Sequence, residues 1–312
     1  MRIALILDPL ESLTVYKDSS LAIMREAAKR GHELFVAMQG DLFLRQEKVS
    51  LLAKKFTFAE GENWYALGDP LETAPSDFDV VLMRKDPPFD NEFLYSTYLL
   101  ELAEQQGARV LNHPSSVRDW NEKLAVANFP QFAPAFLVSR DNRLIRAFLQ
   151  EHGDIVVKPL DGMGGSSIFR ITQADPNISV ILETITHYGR RTIMAQRYLP
   201  QIKDGDKRII VINGEPLPYS LARIPMAGET RGNLAAGGTG VAQALTQRDF
   251  EIASTVGKVL KQKGLFLAGL DVIGEHLTEI NVTSPTGMVE IAAQTSCNPA
   301  ALFVDALETS AH

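Results

Sequence analysis

Short β-branched apolar runs alternate along this chain with longer stretches whose apolar residues recur every three to four positions, a pattern of strands interleaved with amphipathic helices. Arg2–Leu7 reads as a strand ending at Asp8-Pro9, and Glu33–Ala37 as a second. Between them Asp18-Ser19-Ser20 can cap a helix running to about Arg30, with Leu21, Met24 and Ala28 as its apolar stripe and Gly31 as its stop. The opening is therefore β-α-β. Its first loop lies at the carboxyl end of a strand, where open parallel sheets bind ligands. That loop, Leu10–Ser20, carries Tyr16, Lys17, Asp18, Ser19 and Ser20. The two serines serve either as helix caps alone or as caps that also hold a charged substrate.

Lys48–Glu60 alternates in a way that suits an edge hairpin arm, and Phe78–Met83 is a clearer strand running into Arg84-Lys85-Asp86-Pro87-Pro88-Phe89. Arg84 ends a buried strand, so it either binds a carboxylate at the ligand edge or pairs with Asp86. Asn91–Gln106 is a helix with Phe93, Leu94 and Leu100 inward; Ala108–Leu111 is a strand and Ser115–Lys123 is helical. Lys123, taken alone, reads as a solvated helix lysine. A first unit of about 120 residues results.

A middle block of about 80 residues follows. Its elements are a strand at Phe136–Val138, a helix over Asp141–Glu151, a strand at Ile155–Lys158, a helix over Ile178–Tyr188 and a strand at Thr192–Gln196, until Pro200 stops regular structure. The last block starts with Lys207–Ile212, turns at Asn213-Gly214 in the type I′ manner and returns along Leu217–Ile224. Residues 225–242 then read as one long loop rich in small residues, either a cover that closes over a site or a disordered insertion. Gln247–Lys263 is an amphipathic helix with Phe250, Val256 and Leu260 inward, and a last helix lies near Pro299–Thr309.

Two stretches carry candidate chemistry. In Ile155–Phe169 a strand runs through Lys158 into Gly162-Met163-Gly164-Gly165-Ser166, then restarts at Ile168. Bare glycine N–H groups suit phosphate oxygens, and Lys158 adds a point charge; the bland alternative is a tight hairpin with one surface lysine. P-loop spacing is absent. In Gly269–Val282 two short strands form a hairpin on which Glu279 and Asn281 share a face that Asp271 can join if the register permits. Two carboxylates and an amide oxygen are hard ligands suited to Mg2+; the alternative is a solvated hairpin face.

Composition narrows the class. The chain has 312 residues, is 45% hydrophobic and 22% charged, and carries a formal net charge of -7. With no basic tail, a nucleic-acid partner is disfavoured, and no apolar run is long enough for a membrane span. The single cysteine, Cys297, leaves no internal disulfide and fits a reducing cytoplasm. The six histidines show no zinc-ligand spacing.

Taken together, the motifs resemble those of the bacterial glutathione synthetases, members of the ATP-grasp superfamily. The matching segments are Met83–Phe89, Asn121-Glu122-Lys123-Leu124, Lys158–Gly165, Gly205-Asp206-Lys207-Arg208, Gly228–Gly238 and Glu279–Thr286, in the family order over nearly the whole chain. The resemblance implies an α/β fold: an N-terminal open Rossmann-like, pre-ATP-grasp domain (1–121) followed by a two-lobed ATP-grasp module, with a glycine-loop subdomain (122–200) and a C-terminal subdomain (201–312) bearing the metal hairpin and the mobile loop 225–242.

It further implies ATP as co-substrate, held by Lys123, Lys158, Asp161, Gly162, Gly164, Gly165 and Ser166 around the phosphates. Gln196, Arg197, Tyr198 and Leu199 would line the adenine pocket, with Asp206 near the nucleotide. Asp271, Glu279 and Asn281 would hold Mg2+, with Mn2+ as the alternative ion. Arg208, Arg231 and Lys158 would act on the phosphoryl group and the reacting carboxylate. Lys17, Asp18, Ser19, Ser20, Arg84, Asn233, Ser284, Pro285, Thr286 and Gly287 would hold the peptide substrate. The implied reaction joins γ-glutamylcysteine to glycine through an acyl phosphate, in a cytoplasmic homo-oligomer, a tetramer. Val289 and Ala292 depart from some close members, which carry arginine and an acid there. The rival readings are another ATP-grasp carboxylate–amine ligase with a different substrate, and a non-catalytic nucleotide-binding regulator, which would lack the metal ligands.

Overall fold

The computed structural model describes residues 1–60, 63–226, 232 and 237–310. Its strands fall into three sheets, one for each successive part of the chain. The first joins β1 (Arg2–Leu7), β2 (Glu33–Met38), β3 (Leu42–Arg45), β4 (Lys48–Phe58), β5 (Tyr65–Thr73), β6 (Val80–Met83) and β7 (Val110–Leu111). Their order is β3-β4-β2-β1-β6-β7, with β5 also on β4. The β1–β2, β1–β6 and β6–β7 pairs are parallel. The crossovers are α1 (Ser19–Lys29) and α2 (Asn91–Gln105), followed by α3 (Pro114–Asp119).

The middle sheet, in the order β10-β9-β11-β8, holds β8 (Phe136–Ser139), β9 (Asp154–Pro159), β10 (Phe169–Thr172) and β11 (Ile193–Arg197), with α4 (Asn142–His152) and α5 (Ile178–Ile185). The last sheet is antiparallel, ordered β14-β13-β12-β15-β16. Its strands are β12 (Asp206–Ile212), β13 (Glu215–Ile224), β14 (Thr239–Ala244), β15 (Leu267–Ile273) and β16 (His276–Asn281). The helices α6 (Gln247–Gln262), α7 (Met288–Gln294) and α8 (Pro299–Thr309) complete this part.

Packing ties the first and last parts together, and the middle one joins them through Met194 of β11, with Phe136 and Val138 of β8 packed alongside. Ile210 and Ile212 of β12 and Phe303 and Leu307 of α8 share one core with Ile3 and Leu5 of β1 and Leu21 and Met24 of α1. The middle sheet has a separate core of Ile145, Leu149, Ile155, Val157, Leu182 and Ile193.

Several expectations change. Lys48–Phe58 is an interior strand: Phe56 pairs with Leu34 of β2 on one edge and Leu67 of β5 on the other. β3 and β5 fall outside the elements predicted, β5 because its Gly68-Asp69-Pro70 reads as a turn yet is accommodated at an exposed edge. Ala28 and Phe250 face solvent; Ile23 and Ala27 complete the stripe of α1, and Ile252 and Ala253 that of α6. The helix expected to reach Lys123 ends at Asp119. The span expected as one loop over 225–242 ends in β14, paired with β13 from Ile224↔Thr239 to Tyr219↔Ala244. At Asn213-Gly214 the turn is as expected, both residues having positive φ (49° and 87°).

Candidate active site

The last sheet builds a charged face by strand register alone. Asp206 and Arg208 are two apart on β12 and share a face. Across the ladder Asp206 meets Arg223 of β13, and Arg208 meets Asp271 of β15. Asp271 in turn meets Glu279 of β16, and Asn281 follows two residues on. Ile210 and Ile212 continue the same face of β12 into the core shared with the first sheet. One side of a strand thus changes from charge to packing within two residues.

These groups neutralise one another in pairs. Arg208 donates from Nε to Asp271 Oδ1 at 2.6 Å and from Nη2 to Oδ2 at 3.1 Å. Arg223 Nη2 lies 3.0 Å from Asp271 Oδ2 and also bonds Asp206. Asn281 Nδ2 donates to Asp271 Oδ2 at 3.3 Å and to Gly269 O at 3.1 Å, so both bonds are made by the amide nitrogen and neither by Oδ1. Lys123 Nζ donates to Glu279 Oε1 at 3.1 Å and to Gly162 O in the glycine loop at 2.6 Å. Lys158 Nζ reaches Thr278 O at 3.2 Å.

Burial opposes the charge on Asp271, yet Arg208 and Arg223 outweigh it and hold the carboxyl well below its ordinary range. Asp206 is pushed the other way, to about 6, because burial exceeds the help of Arg223 and Asp271 repels it. Burial also lowers Lys158. For Lys123, burial is outweighed by Glu279 and Glu122, and its pKa rises.

A cavity of about 630 Å³ opens against this face. Its wall draws Lys17 and Asp18 from the first part of the chain, Lys158, Gly162–Ser166 and Gln196–Leu199 from the middle, and Asp206, Arg208, Asp271, Glu279, Asn281 and Ser284–Gly287 from the last. Lys123 lines it too, buried and outside any α-helix, where the sequence alone suggested a solvated helix lysine. Gln196 Nε2 and Asp206 Oδ1 are buried in this wall without hydrogen-bond partners. Among the described residues no three acidic, histidine or cysteine side chains are grouped for a metal; the third oxygen of the expected set comes from an amide, Asn281. Hard oxygens on one sheet face fit Mg2+.

Four expected residues are placed elsewhere. Ser19 and Ser20 are buried within α1, whose cap is Asp18, accepting from Leu21 N at 2.8 Å. Ser20 Oγ accepts from Arg84 Nε at 3.0 Å, and Arg84 Nη2 donates to Pro285 O at 3.0 Å. Arg84 therefore sits behind the cavity wall and braces Pro285, without an ion pair to Asp86, which bonds Ser284 instead. Asp161 turns outward and pairs with Arg191. Arg231 and Asn233 lie outside the described residues.

Two residues of the site went unassigned in the sequence. Arg223 stands in the apolar run Leu221-Ala222-Arg223-Ile224, and a charge inside a buried strand was the available signal. Glu122 accepts from Val282 N (2.9 Å), Thr283 N (3.1 Å) and Thr283 Oγ1 (2.9 Å), fastening the chain just after the hairpin. Only its place beside Lys123 pointed to it.

Fold comparisons agree with this geometry. D-cycloserine synthetase DcsG superposes with a TM-score of 0.69 at 14% identity, covering 99% of this chain and 100% of its own. The ATP-grasp ligase PsnB, complexed with a minimal precursor, Mg and ADP, gives 0.63 at 15% identity, covering 99% and 98%. The chain shares the overall fold of these two proteins.

Sequence comparison goes further. Residues 1–118 match the prokaryotic glutathione synthetase N-terminal domain, and residues 122–296 the prokaryotic glutathione synthetase ATP-grasp domain. The chain is 60% identical over 312 residues to a glutathione synthetase of Nitrosomonas europaea, covering 99% of this chain and 98% of the relative. It is 52% identical over 310 residues to one of Yersinia pestis, covering 99% and 97%. The chain belongs to the prokaryotic glutathione synthetase family.

Proposed function

We infer that this protein joins γ-L-glutamyl-L-cysteine to glycine with ATP and Mg2+, giving glutathione, ADP and phosphate. Identity of 52–60% to glutathione synthetases across essentially the whole chain carries the reading.

The residue roles are our assignment. Lys123, Lys158 and Gly162–Ser166 bind the phosphates of ATP; Gln196–Leu199 and Asp206 hold the nucleoside end. The cavity position of all of them supports this. Asp271, Glu279 and Asn281 hold Mg2+, which supplies charge neutralisation at the phosphates; Mn2+ suits the same oxygen donors. Lys17, Asp18 and Ser284–Gly287 receive the dipeptide, with Ser20 and Arg84 acting behind them through Pro285. Roles for Arg231 at the phosphoryl group and Asn233 at the carboxylate rest on the family resemblance.

A carboxylate is a poor acylating agent because oxide is a poor leaving group. The dipeptide carboxylate oxygen attacks the γ-phosphorus, the bond to ADP breaks, and an acyl phosphate forms. Glycine nitrogen then attacks the acyl carbon, the C–O bond to phosphate breaks, and the nitrogen gives up its proton. Arg208 and Lys158 stabilise the charge that develops, so no enzyme nucleophile is required. The middle sheet has a core of its own and joins the rest chiefly through Met194, which supports its closing as a lid over the site, which excludes water from the acyl phosphate.

We further assign units 1–121, 122–200 and 201–312, which the three sheets support. Among the described residues no helix is long and apolar enough to cross a membrane. A cytoplasmic location and a homotetramer follow from the resemblance. The test is ADP release with ATP, Mg2+ and γ-glutamylcysteine, with and without glycine, and mass detection of product. Glycine-dependent release with glutathione formed is expected; release that requires a different amine or acid would place the protein with another ATP-grasp ligase.

A further inference from the structure

Glu290 stands in the first turn of α7, directly beyond the Ser284–Gly287 wall, and lines the same cavity. Its Oε2 is buried with no hydrogen-bond partner. The other acids around it each have a side-chain partner on at least one oxygen: Asp271 has Arg208, Asp206 has Arg223, Glu279 has Lys123 and Asp86 has Ser284. For the Glu290 side chain no ion pair or hydrogen bond occurs among the described residues. Burying a carboxylate oxygen with no donor is costly, so such a group in a cavity wall implies a donor that arrives with the ligand.

The candidates for that donor are few. ATP is anionic and would be repelled. The metal ligands lie on the β15–β16 hairpin, whereas Glu290 is on a helix that follows it. The amino-acid substrates remain, and each carries an ammonium group, whose N–H donors make strong charge-assisted bonds to a carboxylate. The location fits a substrate group near the reacting carboxylate: a Cβ at Gly287 would stand 3.5 Å from Arg208 Cγ, and Glu290 follows it by about one helical turn.

We propose that Glu290 is a specificity-determining residue that receives the ammonium group of an amino-acid substrate, either the α-ammonium of γ-glutamylcysteine or the nitrogen of glycine before it loses its proton. The proposal rests on the ligase reading given above.

The test is steady-state kinetics of the wild type and Glu290→Gln, varying ATP, γ-glutamylcysteine and glycine in turn, with the desamino analogue glutaryl-cysteine as a fourth substrate. The expected result is a loss of roughly 10- to 100-fold in kcat/KM for one amino substrate, with the KM for ATP within about twofold. A loss confined to γ-glutamylcysteine, together with equal use of glutaryl-cysteine by both proteins, identifies the dipeptide as the source. A loss confined to glycine identifies the other. Unchanged constants for both amino substrates, or an equal loss for all three substrates, overturns the proposal. If the wild type makes no glutathione, the ligase reading itself has failed. MgATP binding measured calorimetrically reports folding, and Glu290→Asp, which keeps the charge but shortens its reach, carries the same test should the glutamine variant unfold.

Discussion

Asp271 lies directly across the β15–β16 ladder from Glu279, yet the two carboxylates are held by different cations. Arg208 and Arg223 engage Asp271, and Lys123 engages Glu279. The pair is therefore kept close without facing its own repulsion unscreened.

Replacing Asp271 with Asn removes the anion that two buried arginines share. Turnover should fall about 10²–10³-fold, as for loss of a charge-organising group in an active site. Stability should fall by roughly 3 kcal/mol, since Arg208 is left without its carboxylate partner while Arg223 keeps Asp206. Magnesium titration of ADP release and urea unfolding check the two effects. Unaltered Mg2+ dependence would sink the metal assignment.

Gly269 makes room for the Arg208 side chain on its way to Asp271. A Cβ there would stand 2.8 Å from Arg208 Cδ and 2.9 Å from Pro285 Cβ. Gly269→Ala should push Arg208 off Asp271 and lower kcat by at least about tenfold, an off-position cost consistent with catalytic positioning. The KM for ATP should move less. Full activity in the alanine variant would show that Arg208 has freedom to shift.

Glu122 fastens Val282 and Thr283, and its backbone oxygen accepts from Ile280 N at 2.9 Å, so one residue covers the open edge of β16. Glu122→Ala strands two backbone donors and should cost about 2–6 kcal/mol of stability, at 1–3 kcal/mol for each unsatisfied group. Glu122→Gln keeps an acceptor oxygen and should recover most of it. Equal stability of the two variants in urea would contradict a clamping role.

Glu104 on α2 gives a stability effect with a definite sign. Burial first, then repulsion from Glu101, raises its pKa from 4.5 to about 7. The folded state therefore holds this proton more tightly than the unfolded chain. The associated stability is fully present below about 4.5 and is lost as the pH rises through about 7. With 19% of the side chain exposed, solvent trims the effect to about 2 kcal/mol. Glu104→Gln should match the wild type near pH 4.5 and exceed it by that amount at pH 8 in thermal or urea unfolding. A constant difference at both pH values would show that ionisation is not the cause.

Local patterns in the chain carried much of the architecture. The period-2 placement of Glu279 and Asn281 put them on one face whatever the fold, because successive strand side chains must alternate. Asn213-Gly214 called for a turn because both positions need positive φ. Errors came where local preference was outvoted: β5 contains turn-forming residues but gains a partner along β4, and Phe250 is apolar but lies on the outer side of α6.

Which side chains belong to the site was less legible, because partners distant in sequence depend on strand order and register. Arg84 looked like a ligand-binding cation at a strand end, and only the packing of α1 and the 284–287 segment shows it bonded to Ser20 and Pro285. Arg223 looked like any residue of a returning strand until β12 set it opposite Asp206 and within reach of Asp271. Glu290 had no local signature at all. Alternation, turn chemistry and motif order follow from backbone sterics and neighbouring residues, so they are written into the chain itself. The pairing of Arg223 with Asp271, the bracing of Pro285 by Arg84 and the arrival of Glu290 at the cavity wall arise only when segments distant in sequence are buried together, because that burial decides which strands become neighbours.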